Sequence, residues 1–227
     1  MPYYAPPPGY DGTPNRYLLG RGSCLWRVHY RKYHARSFNT VQSDRLYGGG
    51  RFDATQSDSY PFYYAALDQG TALAEALLRD LHPDERGMRV LTGAALKERR
   101  MSGLTLTRDL ALVRLIDGKD LAAIAQDAWL VTATAREYPQ TRDWGHWLRR
   151  QATWAHGFVW DSLRDRGGLA IVLFGDRLTA AFGNDYERML LHEVPELAVS
   201  LDDRAQEKCL NDLLGPYRAA IEPPRPE

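Results

Sequence analysis

Cysteine is scarce in this chain of 227 residues, which contains two. Cys24 and Cys209 have neither the number nor the spacing of a disulfide framework or a zinc site, which argues against a disulfide-stabilised secreted protein. No run approaches the ~20 apolar residues of a membrane helix. The first residues also lack the basic and apolar regions of a secretory signal. We therefore predict a cytoplasmic protein that does not bind a membrane.

The chain also lacks an excess of either charge. Its 29 basic residues equal its 29 acidic residues, so no overall field draws it to nucleic acid, and we predict no direct nucleic-acid binding. With 44% hydrophobic residues the chain is long enough to bury a core of its own. We predict one domain.

The motifs of several common catalytic classes are missing. The sequence contains no phosphate loop ending in Lys and Ser/Thr, no His-Glu-x-x-His, no Gly-x-Ser-x-Gly and no Cys-x-x-Cys. Its six histidines are scattered without ligand spacing. This predicts neither a metal nor a prosthetic group.

The first part of the chain divides into a tail and the start of a domain. Residues 1–16 are rich in Pro, Tyr and Gly without periodicity, which predicts a disordered or extended tail before a domain over 17–227. Residues 24–30 alternate as a strand does, with Arg27 on the face opposite Trp26. Gly48 to Gly50 then predict a turn that tolerates close approach of another group, and Arg51 follows it.

Helical periodicity and buried runs follow. The apolar positions of residues 71–81 share one helical face, and Glu75 lies off that face. Residues 144–154 carry an aromatic helical face, which we interpret as core packing. Residues 157–162 form a short segment that ends at the polar Ser162, and residues 169–174 are typical of a fully buried strand.

The other elements are less strongly patterned. We predict strands at 88–91, 188–191 and 197–201 and strand-like alternation over 104–115, with helices at 94–100, at 121–129 capped by Asp120, and at 203–219. Together they indicate an α/β or α+β domain. Residues 175–227 are predicted to pack on the same domain, where they either extend the sheet or form a homodimer interface.

Several of these segments occur in the order in which one known family carries them. They are Leu25-Trp26-Arg27-Val28, Gly48-Gly49-Gly50-Arg51-Phe52, Tyr63-Tyr64-Ala65, Ala72-Leu73-Ala74-Glu75-Ala76-Leu77-Leu78 and Gly157-Phe158-Val159-Trp160-Asp161-Ser162. Over residues 24–174 the chain resembles the RES family. The arginine, glutamate and serine that name the family match Arg27, Glu75 and Ser162. The serine segment departs from the family pattern, since Trp160-Asp161 stand where a Pro-Ser or similar pair is usual.

The resemblance implies a fold and a function. RES proteins are NAD-consuming toxins of bacterial toxin–antitoxin pairs, and their fold is similar to that of ADP-ribosyltransferases. The resemblance therefore implies a mixed, bent sheet with surrounding helices, NAD as substrate, and a cognate antitoxin in trans. By the same resemblance, Arg27, Glu75 and Ser162 are expected to be catalytic. Arg51, Tyr63 and Tyr64 are expected to bind the substrate.

These residue types suit cleavage of the bond between nicotinamide and ribose. Nicotinamide leaves the oxidised cofactor as a neutral molecule, so the transition state needs stabilisation of an oxocarbenium-like ribose, which a carboxylate such as Glu75 can supply. Arginine forks at Arg27 and Arg51 suit the pyrophosphate, and Tyr64 can stack on nicotinamide. The sequence leaves the nucleophile open among water, a protein and phosphate as a co-substrate.

Without the resemblance, the residues favour ordinary structural roles. A glutamate on the polar side of a helix is usually solvated, and an arginine beside aromatic residues often packs against them. Two further functions therefore stay open. One is a protein ADP-ribosyltransferase. The other is a non-catalytic nucleotide- or partner-binding module with Trp144, Trp147 and Trp154 as its contact face.

Overall fold

The computed structural model describes residues 5–9, 12–43, 48–79 and 81–222. Strands and helices are interspersed along the chain. The strands are β1 (Arg16–Leu19), β2 (Cys24–Tyr30), β3 (Phe62–Ala66), β4 (Arg89–Leu91), β5 (Arg99–Leu106), β6 (Leu110–Leu115), β7 (Gly157–Asp161), β8 (Leu169–Phe174), β9 (Leu191–Ser200) and β10 (Ala219–Ile221). The helices are α1 (Gln69–Leu77), α2 (Gly93–Leu96), α3 (Gly118–Ala122), α4 (Trp129–Thr132), α5 (Tyr138–Gln151), α6 (Gly175–Phe182), α7 (Tyr186–Leu190) and α8 (Glu207–Leu214).

The main sheet has eight strands in the order β1-β6-β7-β8-β3-β2-β5-β9. Strands β6 and β7 are parallel, and the other neighbouring pairs are antiparallel. A small parallel sheet joins β10 to β4. The predicted mixed sheet with surrounding helices is confirmed.

The sheet opens between β2 and β3. In the described part of the chain these two strands pair at one position, Trp26 with Ala66. At the other end of β3, Phe62 pairs with Asn39 rather than with β2. The Asn39 N–H donates to the Phe62 carbonyl at 2.8 Å, and the Asn39 carbonyl accepts the Phe62 N–H at 2.9 Å. Antiparallel ladders hold strands together by such bonds. Where they stop, β2 and β3 separate and leave a gap in the middle of the sheet.

Helix α5 covers one face of the sheet with aromatic residues. Trp144 is completely buried and Trp147 is 7% exposed, and both belong to the core cluster around Phe52 and Phe158. The core-packing interpretation of this face is therefore right. Trp154 lies beyond the end of α5, where its ring stacks with the Arg16 guanidinium, 4.1 Å from the ring centroid. A contact face formed by all three tryptophans is excluded by the burial of the first two.

Several predicted elements are corrected by the structure. The 188–191 segment is not a strand but mostly part of helix α7. Asp120 is not a helix cap: Asp117 caps α3, and Asp120 occupies the third helical position of a capping box. The helix predicted over 94–100 is limited to α2, because strand β5 begins at Arg99. The helix predicted over 203–219 is confined to α8 with a 3-10 turn on each side, since Gly215 and Pro216 interrupt it.

Strand β9 and helix α8 join residues 175–222 to the rest of the fold. Strand β9 pairs with β5 and forms an edge of the main sheet. The buried Leu210 and Leu214 of α8 pack in the cluster that contains Leu73 of α1. At the opposite end of the chain, the predicted tail overlaps β1 by one residue, Arg16. Its residues 1–4, 10 and 11 lie outside the described part. In the described part no helix has both the length and the apolar character to cross a bilayer.

Candidate active site

A cavity of about 320 Å³ occupies the gap between β2 and β3. Helix α1 and the loop of residues 48–53 form its other walls. Among the residues that line it are Arg27, Arg51, Asp53, Tyr64, Glu75, Arg79, Tyr138 and Trp160. The structure thus brings four of the six predicted site residues, Arg27, Arg51, Tyr64 and Glu75, to one cavity.

Helix α1 positions Glu75. The helix begins where the Asp68 carboxylate accepts the Thr71 N–H at 2.7 Å, which satisfies one of the unpaired amides of the first turn. Leu73 and Ala74 are fully buried against the sheet. Because 3.6 residues make one turn, their burial fixes the rotation of the helix and leaves Glu75 at the cavity wall.

Ser162 holds the Glu75 carboxylate rather than lining the cavity. Its hydroxyl donates to Glu75 Oε1 at 2.6 Å, and its oxygen accepts the N–H groups of Arg164 and Asp165, each at 3.1 Å. Ser162 itself is completely buried. The described residues make no other hydrogen bond to the carboxylate of Glu75, so Oε2 can receive a ligand. Ser162 therefore contacts the cavity only through Glu75.

Arg27 is held by β3 and by the loop after β2. Its Nη1 donates to the carbonyl oxygens of Ala35 at 3.1 Å and Ser37 at 2.6 Å. Its guanidinium lies 4.4 Å from the centroid of the Tyr63 ring, a cation–π distance. Tyr63 was predicted to bind the substrate, but its side chain is fully buried, packs on Phe38, and does not line the cavity. It acts on the site through Arg27.

Arg51 is a buried cation in the cavity wall, only 7% exposed. Its Nη1 donates to the carbonyl oxygens of Leu130 and Ala133 at 3.2 and 3.1 Å. Burial lowers the pKa of the guanidinium, while the nearby Tyr138 and Glu75 raise it. These bonds fix the guanidinium in place, and its other N–H groups stay available to an anion.

The glycine-rich loop is tied to the fold by buried polar groups. Asp53 accepts the Gly50 N–H at 2.7 Å and the Ser43 hydroxyl at 2.6 Å. Arg142 of α5, 1% exposed, donates to the carbonyl oxygens of Gly48 and Gly50. The Tyr64 hydroxyl accepts the Phe52 N–H at 2.8 Å, and burial, followed by the charge of Asp53, raises the pKa of Tyr64 well above its ordinary value. Tyr64 thus anchors the loop with its hydroxyl while its ring stays at the cavity.

The structure adds residues that the motifs did not indicate. Arg79 and Tyr138 line the cavity, and Arg142 supports its loop from α5. Arg79 carried a usable signal, because it stands four residues after Glu75, one helical turn away. Arg142 carried none, since it lies 92 residues from the loop that it bonds. In the described part of the chain, no three or more His, Cys, Asp or Glu residues are grouped so that they could hold a metal ion.

Comparison with known proteins bears on the fold and on the family. No curated protein matches the chain in sequence. Among solved structures, a chain in the crystal structure of the M. tuberculosis MbcT–MbcA toxin–antitoxin complex is similar, with a TM-score of 0.51 and 14% identity. The match covers 80% of this chain and 85% of that one, and at this identity it shows a shared fold.

A family model gives the assignment. The RES domain model matches residues 24–202, which contain Arg27, Glu75 and Ser162 and extend beyond the resemblance noted over 24–174. The chain belongs to the RES domain family.

Proposed function

We propose that the protein degrades NAD by cleaving the bond between nicotinamide and ribose, and that it is the toxin of a toxin–antitoxin pair. The observation that carries the proposal is the 2.6 Å bond from Ser162 to Glu75, which orients one carboxylate in a cavity that also contains Arg27 and Arg51. A fixed carboxylate beside arginines suits a substrate that develops positive charge at a sugar and carries phosphates elsewhere.

Glu75 acts on the ribose to which nicotinamide is bonded. As the C–N bond breaks, its electron pair goes to the nicotinamide nitrogen, which becomes neutral, and positive charge develops on the ribose. The Glu75 carboxylate stabilises that charge more in the transition state than in the bound substrate, which is the condition for catalysis. Because Ser162 occupies Oε1, we assign the ribose contact to Oε2.

The other predicted residues bind NAD around this carboxylate. Arg27 and Arg51 carry donors that match phosphate oxygens in pairs. The Tyr64 ring is held edge-on by Phe62 and Trp160, with ring centroids 5.7 and 6.2 Å away, so it offers a rigid platform for nicotinamide. Tyr63 keeps its part in substrate binding indirectly, as the support of Arg27.

The partner is proposed from the family and the structural neighbour. The neighbour is described as part of a toxin–antitoxin complex. We infer a cognate antitoxin acting in trans, which would restrain the enzyme by covering the cavity.

The experiment is a measurement of NAD consumption by the purified protein, with and without phosphate. Wild type should consume NAD, and Glu75→Gln, which keeps the volume of the side chain but not its charge, should lose at least ~100-fold in kcat. Glu85→Gln is the matched control, because Glu85 is exposed and does not line the cavity. Equal rates for wild type and Glu75→Gln would contradict the assignment of Glu75.

The products identify the nucleophile. A requirement for phosphate with a phosphorylated ADP-ribose product would indicate phosphorolysis, and free ADP-ribose would indicate water. Label from adenine-labelled NAD on a protein band would indicate ADP-ribosyl transfer. Unchanged NAD under all conditions, from folded protein free of inhibitor, would refute the enzyme and favour a binding module.

A further inference from the structure

Two guanidiniums converge on one ring in the cavity wall. The Cζ atom of Arg51 lies 5.4 Å from the centroid of the Tyr138 ring, and that of Arg79 lies 5.7 Å from the same centroid. All three side chains line the cavity. Like charges held this close to one aromatic ring attract an anion into the space that they face.

The electrostatics of Arg51 point the same way. The positive charge of Arg79 lowers the pKa of Arg51, adding to the larger effect of burial. A buried cation beside a second cation is costly unless a negative charge compensates both. Glu75 provides part of that compensation for Arg51. A bound phosphoanion would add negative charge beside Arg51.

Arg27 and Arg79 belong to different elements of the cavity wall. Arg27 reaches the cavity from β2 and is held by the carbonyl groups of Ala35 and Ser37. Arg79 follows the end of α1, one turn after Glu75. Arg51 and Arg79 place two guanidiniums around Tyr138, and the four peripheral oxygens of a diphosphate can accept hydrogen bonds from both.

We propose that Arg51 and Arg79 form the diphosphate subsite of the cavity, with Tyr138 between them as the spacer. The inference rests on the proposed function for the identity of the ligand, a dinucleotide. It adds a binding role for Arg79 to those proposed for Arg27 and Arg51.

The test is direct binding of ADP-ribose, measured by titration calorimetry, which does not depend on turnover. Arg79→Met keeps the aliphatic part of the side chain and removes the charge, and we expect it to weaken binding about tenfold or more. Arg79→Lys keeps the charge without the guanidinium fork, and its affinity for ADP-ribose should lie between those of wild type and Arg79→Met. Arg86→Met is the control, because Arg86 is exposed and outside the cavity lining. Melting curves verify that each variant is folded.

Turnover provides the second measurement. If wild type consumes NAD, Arg79→Met should raise KM about tenfold and change kcat less than about twofold, because the diphosphate contact is the same in substrate and transition state. Binding of ADP-ribose to Arg79→Met within twofold of wild type would overturn the inference, as would no binding to wild type. Weakened binding in Arg79→Met together with absent NAD consumption would instead refute the proposed function and leave the subsite standing.

Discussion

The hydroxyl of Ser162 has only one direction left for its proton. A serine hydroxyl carries one donor and two acceptor positions. The N–H groups of Arg164 and Asp165 occupy the acceptor side of this oxygen. The proton therefore points to Glu75, which makes Ser162 a positioning residue whose geometry is set by its own loop.

Replacing Ser162 by alanine should reduce turnover with little effect on substrate affinity. The substitution removes a charge-assisted bond of about 1.5–3 kcal/mol and frees the Glu75 carboxylate to rotate. We expect kcat for NAD consumption to fall roughly 10- to 100-fold with KM changed much less. Ser59→Ala, at an exposed serine outside the cavity lining, is the control. Full activity in Ser162→Ala would show that Glu75 does not need this bond.

The family motifs indicated which residues line the cavity better than what each one contacts. Arg27, Glu75 and Arg51 were predicted as site residues from the family resemblance, and all three line the cavity. For Tyr63 and Tyr64 the alternation of strand β3 already indicates opposite faces, and only Tyr64 reaches the cavity. Ser162 could not be paired with Glu75 from sequence, since 87 residues separate them.

The loop of residues 48–53 depends on glycine at position 50 for space. A Cβ atom there would lie 2.6 Å from Asp53 Oδ1 and 2.8 Å from the Tyr64 hydroxyl oxygen. Both groups are buried and hydrogen-bonded to this loop, so neither can withdraw freely. The glycine thus allows the loop backbone to close on Asp53 and to carry Arg51 into the cavity wall.

Gly50→Ala should therefore lower both stability and substrate affinity. We expect a loss of about 1–3 kcal/mol in the free energy of unfolding, together with a raised KM for NAD, because Arg51 moves with the loop. Gly93→Ala is the matched control, because Gly93 lies in helix α2 and a Cβ atom there would meet nothing within 4 Å. Denaturant unfolding and steady-state kinetics measure the two effects. Unchanged stability of Gly50→Ala would show that the loop can relax around a methyl group.

Tyr217 links the C-terminal segment to the loop that carries Ser162. Burial raises the pKa of its hydroxyl, and so does the nearby negative charge of Asp165. Asp165 in turn bonds the Thr71 hydroxyl of α1 and gives its N–H to Ser162. Tyr217 lies beyond residue 202, where the family match ends.

Tyr217→Phe should weaken this support without disturbing the core. Losing the hydroxyl removes a polar group that lies beside the Asp165 carboxylate, so we expect a decrease of up to about 1 kcal/mol in the free energy of unfolding and a several-fold lower kcat. Tyr33→Phe, at a tyrosine 55% exposed, should change neither. Normal kcat in Tyr217→Phe, despite reduced stability, would confine the residue to a structural role.

Local patterns predicted the strongly patterned elements well and the short ones poorly. Strands β2 and β8 have the predicted bounds, because residues alternate along β2 and β8 is a continuous apolar run. Helix α7 was mistaken for a strand, since five residues are too few to show a helical period. Helix α1 ends at Leu77 although apolar residues continue to Leu81, so the pattern alone overstated its length.

The cavity is a property of the whole sheet. It exists because the β2–β3 pairing is limited to Trp26 with Ala66 and because α1, α5 and the 48–53 loop close around the gap. None of these contacts is local in sequence. A mixed sheet could be predicted from the succession of elements and from the family resemblance, whereas the strand order and the position of the gap required the three-dimensional structure.

Buried histidines in separate parts of the fold connect stability to pH. Burial lowers the pKa of His29, His146 and His156 below the ordinary value of 6.5. Asp58 and Asp143 oppose this effect at His146, which is 4% exposed and whose Nε2 has no hydrogen-bond partner among the described residues. Below pH 6.5 the unfolded chain therefore binds more protons at these sites than the native protein, and the free energy of unfolding falls as pH decreases.

The melting temperature should accordingly decrease between pH 7 and pH 5, and replacement of His146 should flatten that decrease. A histidine that stays neutral in the native state contributes a slope of up to ~1.4 kcal/mol per pH unit below its unfolded pKa. We expect His146→Gln to lose the part of this slope that His146 contributes, whereas His82→Gln, at an exposed histidine, should retain the wild-type curve. Parallel curves for wild type and His146→Gln would mean that His146 takes up its proton in the native protein, with Asp58 and Asp143 outweighing burial.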